Sequence, residues 1–144
     1  MIHFVNLLFI TILILMKSTA HAAPYPHKVL RVLDGDTVEI EALFLPPELG
    51  KKLHVRVLGV DTPEKGAMAK CAKENELSLK AKDFTHDKIA DAKEVLIDIK
   101  KWDKYGGRVL GDVYIDGKKL TDLLIENNFG VAYYGKKKVK DWCK

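Results

Sequence analysis

The sequence has only two cysteines, no glycine-rich phosphate-binding loop and no dinucleotide-binding fingerprint. Cys71 and Cys143 are unlike the paired Cys-x-x-Cys spacing of zinc sites, and His54 and His86 show no ligand spacing. No serine or threonine lies in a nucleophile motif, and the chain has no internal repeat or low-complexity tract. These absences argue against a zinc protein, a P-loop or dinucleotide-binding enzyme and a serine-type hydrolase.

A long hydrophobic run is also missing. The longest apolar stretch, Phe4 to Met16, has 13 residues, fewer than the roughly 17 to 25 that span a bilayer. It is followed by an Ala-x-Ala step that ends at Ala22, which is typical of a secretory signal peptide. Residues 1–22 are therefore predicted to be a signal peptide cleaved after Ala22, giving a secreted or periplasmic protein with no stable membrane association. No Lys or Arg precedes the run and Lys17 follows it, so an uncleaved anchor is the alternative.

The remaining residues, 23–144, are enough for one compact domain and too few for two, so we predict a single domain. Their net charge is +3, against +4 for the whole chain, because Lys17 is the only charged residue removed. This charge alone does not predict nucleic-acid binding. Lysines nevertheless crowd the C-terminus, as a solubilising tail or as a surface that faces phosphate: Lys136, Lys137, Lys138, Lys140 and Lys144.

The two cysteines have two interpretations. In an oxidising compartment Cys71 and Cys143 are candidates for a disulfide. Such a bond would close a loop of about 72 residues and contribute roughly 4 kcal/mol in the chain-entropy model. Two free thiols are the alternative, because the sequence does not show that the sulfurs meet.

Hydrophobic periodicity predicts strands that alternate with two helices. Alternation of apolar and polar residues predicts strands over Val29–Leu33, Thr37–Leu43, Leu53–Val60, Val95–Ile99 and Val109–Ile115. A helical period predicts one helix over 72–92 and a second that is capped by Thr121 and ends between Asn127 and Gly130. The predicted fold is α+β and mainly β: a five-stranded OB-fold barrel with two or three packed helices, rather than a βαβ sheet.

Two short acidic segments follow predicted strands. The first is Asp34-Gly35-Asp36-Thr37, and the second runs from Arg56 to Asp61-Thr62-Pro63-Glu64. Each segment alone reads as a surface turn, and an EF-hand is excluded because position six of a loop starting at Asp34 is Glu39 rather than glycine. Carboxylate oxygens suit a hard cation such as Ca²⁺, and a guanidinium suits a phosphate. Together the segments predict a site that binds a phosphodiester.

A third segment, Trp102-Asp103-Lys104-Tyr105-Gly106-Gly107-Arg108, combines basic and aromatic residues. Its two glycines allow a sharp turn or the close approach of a ligand. The alternative is a hairpin turn with ordinary exposed polar residues.

The order and separation of these motifs resemble a staphylococcal-nuclease-like domain of the thermonuclease family. The resemblance covers residues 28–134 and rests on Asp-Gly-Asp-Thr, on an arginine followed five residues later by Asp-Thr-Pro-Glu, and on Asp-Lys-Tyr-Gly…Arg. The ending Asp141-Trp142-Cys143-Lys144 resembles that of exported bacterial members. The fold that the resemblance implies, an OB barrel with packed helices, agrees with the independent pattern prediction.

The resemblance implies a calcium site and a group that activates water. Asp36 and Asp61 match the Ca²⁺ carboxylates of the family, and the main-chain carbonyl of Thr62 matches its third protein contact. Glu64 matches the carboxylate that orients or deprotonates the attacking water. Asp34 fits the turn better than the site.

The resemblance also implies residues that bind the substrate. Arg56 and Arg108 match the pair that grips the scissile phosphate, and three residues fall where the family holds the terminal phosphate or base: Lys104, Tyr105 and Tyr133. Many members have one glycine between the tyrosine and the second arginine. Here there are two, so Arg108 lies one place later, a change that a bulge can absorb.

The function that the resemblance implies is that of an exported, Ca²⁺-dependent endonuclease. Such a monomeric enzyme would cleave DNA and RNA with low sequence specificity and leave 3′-phosphate ends. The alternative from another class is a non-catalytic OB-fold module that only binds nucleic acid. Retention of Glu64 argues against it, because a pure binder has no use for a carboxylate beside a bound phosphate. An interaction protein without a nucleic-acid ligand is a third and weaker alternative.

Overall fold

The computed structural model describes residues 23–144. The predicted signal peptide, 1–22, lies outside the described residues and stays a prediction. None of the helices in the described part is long and apolar enough to cross a membrane. The strands are β1 Tyr25–Pro26, β2 Val29–Asp34, β3 Thr37–Glu41, β4 Lys52–Val57, β5 Val60–Asp61, β6 Val95–Trp102, β7 Arg108–Ile115, β8 Lys118–Lys119 and β9 Val131–Ala132. The helices are α1 Ala72–Ala90 and α2 Leu120–Glu126, with 3₁₀ turns at Pro47–Leu49 and Gly66–Met68.

The main sheet has the order β1-β6-β7-β4-β3-β2, and β8 pairs with β7. Every neighbouring pair is antiparallel except β4 and β7, and β5 and β9 form a separate antiparallel pair. The sheet is curled into a half-barrel, and within residues 23–144 its end strands β1 and β2 do not pair with each other. The predicted OB-like α+β class is confirmed. Its five strands are β2, β3, β4, β6 and β7, and the two-residue strands are too short for a periodic pattern to reveal.

The hydrophobic core lies on the concave face of this sheet. Alternate residues of β3 and β4 supply its centre, where Val38, Ile40 and Val55 have no exposed surface. Helix α2 closes one side with Leu120 and Leu124, which are also fully buried. The sheet is thereby fixed at the strand ends that carry the acidic segments.

Helix α1 packs on β2 and on the turn between β2 and β3. Thr85 Oγ1, fully buried, donates a 2.7 Å hydrogen bond to the main-chain oxygen of Gly35. A Cβ atom at position 35 would lie 2.8 Å from the Cβ of Ala81, so only glycine lets the helix approach this closely. The turn that carries Asp36 therefore rests directly on the helix.

Two details of the predicted elements are wrong. The predicted strand Leu53–Val60 is interrupted, because Gly59 has φ of +80° and turns the chain between β4 and β5. Thr121 does not cap α2: it lies inside the helix, and its hydroxyl donates a 2.5 Å hydrogen bond to the Leu58 carbonyl. Thr121 therefore links α2 by a hydrogen bond to the Leu58–Gly59 turn, after which the chain continues into β5 and Asp61.

Cys71 and Cys143 are joined by a disulfide across a sequence separation of 72 residues. Cys71 is also the N-cap of α1, where its sulfur accepts from the Glu74 amide. The bond ties the end of the chain to the start of α1.

Candidate active site

The turn between β2 and β3 buries Asp36 at the rim of the half-barrel. Its carboxylate is 1% exposed and accepts hydrogen bonds from the Thr62 amide and the Thr37 hydroxyl, each 3.2 Å long. Thr37 faces Arg56 across the β3–β4 ladder, which brings the arginine to the same carboxylate. The two acidic segments of the sequence thus meet through Asp36, Arg56 and Thr62.

Arg56 lies between two carboxylates. Its Nη1 donates to Asp36 Oδ1, and its Nη2 is 3.6 Å from Asp61 Oδ1. The side chain keeps 21% of its surface exposed, so part of the guanidinium faces solvent. The two carboxylates therefore orient the Arg56 guanidinium and leave part of it accessible to solvent.

The pKa of Asp36 depends on its burial and on the charged groups around it. Burial raises the pKa of Asp36 to about 7 against the opposing effect of Arg56, and the neighbouring Asp34 carboxyl raises it further. Within residues 23–144, Asp34 Oδ1 is buried without a hydrogen-bond partner. The sequence favoured the turn over the site for Asp34, and in the fold its carboxyl also influences the charge of the buried acid.

Asp61 ends β5 and is 3% exposed. Lys138 Nζ lies 2.8 Å from Asp61 Oδ1, but the angle is not that of a hydrogen bond, and among the described residues this oxygen has no hydrogen-bond partner. Thr62, next in the chain, is buried as well. Asp61 is thus a buried carboxylate whose charge is balanced by two cationic side chains, and carboxylate oxygens are also the ligands that a hard cation takes.

Glu64 follows on the exposed side of the same segment. Its Oε1 accepts a 2.6 Å hydrogen bond from Lys138, and its side chain is 35% exposed. Its backbone amide donates to Glu74 Oε1 at 3.3 Å, and the other oxygen of Glu74 accepts from the Lys70 amide at 2.7 Å. Glu74, buried in the first turn of α1, fixes the backbone that carries Glu64, a role that the sequence did not indicate.

After Glu74, Lys138 is the second residue whose role at the site could not be predicted from the sequence. It belongs to the C-terminal lysine cluster, which was the only signal for it. Burial disfavours the ammonium, but Asp61 and Glu64 outweigh this effect and raise the pKa of Lys138. Lys138 thus links the buried acid to the exposed one.

Arg108 begins β7, beside His54 of β4, and is held by Asp103. Its Nε and Nη2 lie 2.7 Å and 2.5 Å from Asp103 Oδ2. Burial tends to raise the pKa of Asp103, but the hydrogen bond and charge of Arg108, with the charge of Arg56, hold it below its ordinary value. Gly106 and Gly107 lie in the turn between β6 and β7, where the Asp103 amide donates a 2.9 Å hydrogen bond to the Arg108 oxygen. The register shift of β6 lies elsewhere, between Ile99 and Lys101.

The three residues predicted to bind the substrate fall into two groups, Lys104 and Tyr105 beside Arg108, and Tyr133 in a separate groove. Lys104 Nζ is 4.9 Å from the ring centre of Tyr105, and the Arg108 guanidinium is 5.5 Å from it. Tyr133 lies on the other side, where its amide donates to the Gly59 oxygen at 3.0 Å. It lines a groove of about 240 Å³ together with Asp61 and Lys138. The structure thus brings Lys104 and Tyr105 to Arg108, and Tyr133 to Asp61.

The donors at this rim fit a calcium ion. In residues 23–144 no three His, Cys, Asp or Glu side chains form a ready-made metal cluster. Asp36 and Asp61 nevertheless place two buried carboxylates on either side of Arg56. Carboxylates are of the kind that Ca²⁺ takes, and main-chain carbonyls and water would have to supply the remaining ligands.

The chain is thus a small OB-like β protein whose half-barrel carries two buried carboxylates and a partly exposed arginine at one rim. Residues 54–142 match the family model described as staphylococcal nuclease homologue, and the chain belongs to this family. The Asp34–Thr37 turn lies outside the matched range and joins it through Arg56 and Thr62.

A related protein is a thermonuclease from Staphylococcus hyicus. It is 28% identical over 116 residues, which cover 80% of this chain and 63% of the relative. The chain therefore spans less than two thirds of the length of that protein.

Proposed function

We propose that this protein is an exported, calcium-dependent endonuclease that hydrolyses phosphodiester bonds of DNA and RNA with low sequence specificity and leaves 3′-phosphate ends. The observation that carries the proposal is the position of Arg56 between Asp36 and Asp61, with Glu64 linked to Asp61 through Lys138. A protein that only binds nucleic acid would use cationic side chains such as Arg56 to contact phosphate, but it would have no use for the partly exposed carboxylate of Glu64 beside them.

The two arginines bind the scissile phosphate in this proposal. Each guanidinium is held by a carboxylate, Arg56 by Asp36 and Arg108 by Asp103, and each remains partly exposed. A guanidinium can donate two parallel hydrogen bonds to phosphate oxygens, which a lysine cannot do. Because they are oriented before the substrate arrives, little reorganisation is needed as charge develops on the phosphate.

The carboxylates of Asp36 and Asp61, with the carbonyl of Thr62, would hold the calcium ion. When bound, Ca²⁺ would supply positive charge against the oxygens of the phosphate. Glu64 accepts the proton of the water that attacks phosphorus. The bond between phosphorus and the 5′ oxygen breaks, the 5′ oxygen takes up a proton, and the phosphate stays on the 3′ side.

Substrate binding in this proposal does not read base edges. Tyr105 is 63% exposed beside Lys104 and Arg108, a combination that suits stacking of a base next to a phosphate. Tyr133 offers a second ring next to Asp61. Such contacts tolerate any sequence and favour single or locally opened strands.

Export is supported by the disulfide between Cys71 and Cys143, because such bonds persist in oxidising compartments. The predicted signal peptide at 1–22 points the same way. We propose in addition that the mature protein, residues 23–144, is a single domain and acts as a monomer.

The test uses the oxidised mature protein with single-stranded DNA and with RNA, in Ca²⁺ and then in chelator. We expect cleavage only with Ca²⁺, loss of cleavage in Glu64→Gln, and no change in the matched control Glu48→Gln, whose side chain is exposed on the Pro47–Leu49 turn. Mass spectrometry of the products should find a 3′-phosphate. Binding without cleavage under any divalent cation would instead establish a non-catalytic nucleic-acid-binding module.

A further inference from the structure

The last part of the chain forms a strap across the candidate site. Residues 133–141, here called the C-terminal strap, contain no helix or strand. The strap starts from β9, where Val131 pairs with Asp61, and ends at the buried Trp142 and the disulfide of Cys143 with Cys71. The C-terminal strap is thus attached to the folded domain at both ends, through β9 and through Trp142 and the disulfide.

Lys138 is distinguished from the other lysines of the strap by its contacts. Its Nζ lies 2.8 Å from Asp61 Oδ1 and 2.6 Å from Glu64 Oε1. Lys136 and Lys137 line the same groove, yet they form no ion pair with any described residue. One ammonium of the strap is therefore directed at the carboxylates of the site.

An ammonium is a compact point charge. Because Lys138 satisfies part of the negative charge of Asp61, a divalent cation that binds this carboxylate must displace the ammonium or share the carboxylate with it against electrostatic repulsion. The disulfide raises the effective concentration of Lys138 at the site, since a segment fixed at both ends cannot diffuse away.

We propose that Lys138 is a residue of the metal site that sets its affinity for divalent cations, and that the Cys71–Cys143 disulfide holds it there. The inference rests on the proposed function only for the assignment of Asp36 and Asp61 as metal ligands. It does not depend on catalysis, and its test measures binding of the metal alone.

The experiment is calorimetric titration of the oxidised mature protein with Ca²⁺ at one fixed ionic strength. We expect Lys138→Met to bind Ca²⁺ about three to five times more tightly than the wild type, given the usual strength of partly exposed ion pairs. Lys138→Arg keeps the charge and should stay near the wild type. The matched control Lys137→Met removes the same charge from the same strap and should change Kd by less than about twofold.

Equal dissociation constants for Lys138→Met and Lys137→Met would overturn the role of Lys138 and leave the metal site in place. Absence of Ca²⁺ binding in every variant would overturn the metal site itself, and the inference with it. The two failures are therefore distinguishable without an assay of activity.

The tether is tested by the double variant Cys71→Ser/Cys143→Ser, in which serine can still cap α1. We expect Ca²⁺ binding to tighten in the direction of Lys138→Met, and we expect little further gain when Lys138→Met is added. A second variant keeps the disulfide and lengthens the strap by four glycines after Gly135, an exposed position with open space around it. Wild-type affinity in both variants, with native circular dichroism, would overturn the role of the disulfide.

Discussion

The hydroxyl of Thr85 donates to the main-chain oxygen of Gly35, and through this 2.7 Å hydrogen bond α1 holds the turn that carries Asp36. Thr85 has no exposed surface, so the Gly35 oxygen has no access to water from that side. The position of the acid thus depends on a helix residue 50 positions away in the sequence.

The substitution Thr85→Val keeps the shape of the side chain and removes the donor. We expect a loss of about 1 to 3 kcal/mol in the free energy of unfolding, because a buried acceptor is left unsatisfied. Thr85→Ser keeps the donor and loses one methyl group, so its loss should be smaller, on the order of 1 kcal/mol. Urea unfolding followed by circular dichroism measures both. If valine is tolerated as well as serine, the hydrogen bond does not hold the turn.

Gly35 is the second point at which helix and turn meet. In Gly35→Ala the new methyl group would lie 2.8 Å from the Ala81 Cβ and 3.1 Å from the Thr62 Cγ2. We expect a loss of about 1 to 3 kcal/mol in the free energy of unfolding from overpacking, together with slower cleavage because Asp36 is displaced. The control is Gly106→Ala, where a Cβ meets none of the described atoms within 4 Å. Equal stability of the two variants in thermal unfolding would contradict this packing.

Local patterns were enough to predict the five main strands and both helices, because alternation and the helical period depend only on neighbouring residues. They failed at Gly59 and Thr121, because the turn at Gly59 is held by the hydrogen bond of the Thr121 hydroxyl to the Leu58 carbonyl, across 63 positions of the sequence. The motifs indicated Asp36, Arg56, Asp61 and Glu64 as one set, and the fold brings them together.

Lys138 and Asp103 required the structure for another reason. Lys138 reaches Glu64 across 74 positions, and nothing in a run of lysines tells which one does so. Asp103 belongs to a motif that the sequence revealed, but its partner Arg108 becomes evident only when the turn is closed.

The pairing of Asp103 with Arg108 predicts a dependence of stability on pH. The pKa of Asp103 in the folded state lies below its ordinary value of 3.8. Its contribution is therefore fully present above pH 3.8 and is lost as the pH falls through the lower folded pKa. We expect the wild type to be more stable than Asp103→Asn at neutral pH and this difference to shrink below pH 3.8. Urea unfolding over this range measures it, and a difference that grows toward low pH would contradict the assignment.

Arg56→Lys tests whether the fork of the guanidinium matters beyond its charge. Lysine keeps the positive charge near Asp36 but lacks the planar fork that donates two parallel hydrogen bonds to one phosphate. We expect kcat to fall by about 10²-fold, the usual effect of removing one donor to a developing oxyanion. The matched control is Arg31→Lys, since Arg31 is 63% exposed and pairs with Glu39 away from the site. A loss in both variants would point to a general effect on folding, and no loss in Arg56→Lys would exclude a bidentate role.

The disulfide predicts a large difference between the reduced and oxidised proteins. It closes a loop of 72 residues, for which the chain-entropy model gives a contribution of about 4 kcal/mol. We expect Tm to fall by roughly 10 to 20 °C in Cys71→Ser/Cys143→Ser, given the entropy of unfolding of a domain of this size. The change should be only slightly smaller with Lys138→Met, because the ion pairs of Lys138 are worth at most about 1 kcal/mol and the loop entropy belongs to the unfolded chain. Differential scanning calorimetry measures Tm. A fall that largely disappears in the Lys138→Met background would mean that the bond stabilises mainly through the strap rather than through the unfolded state.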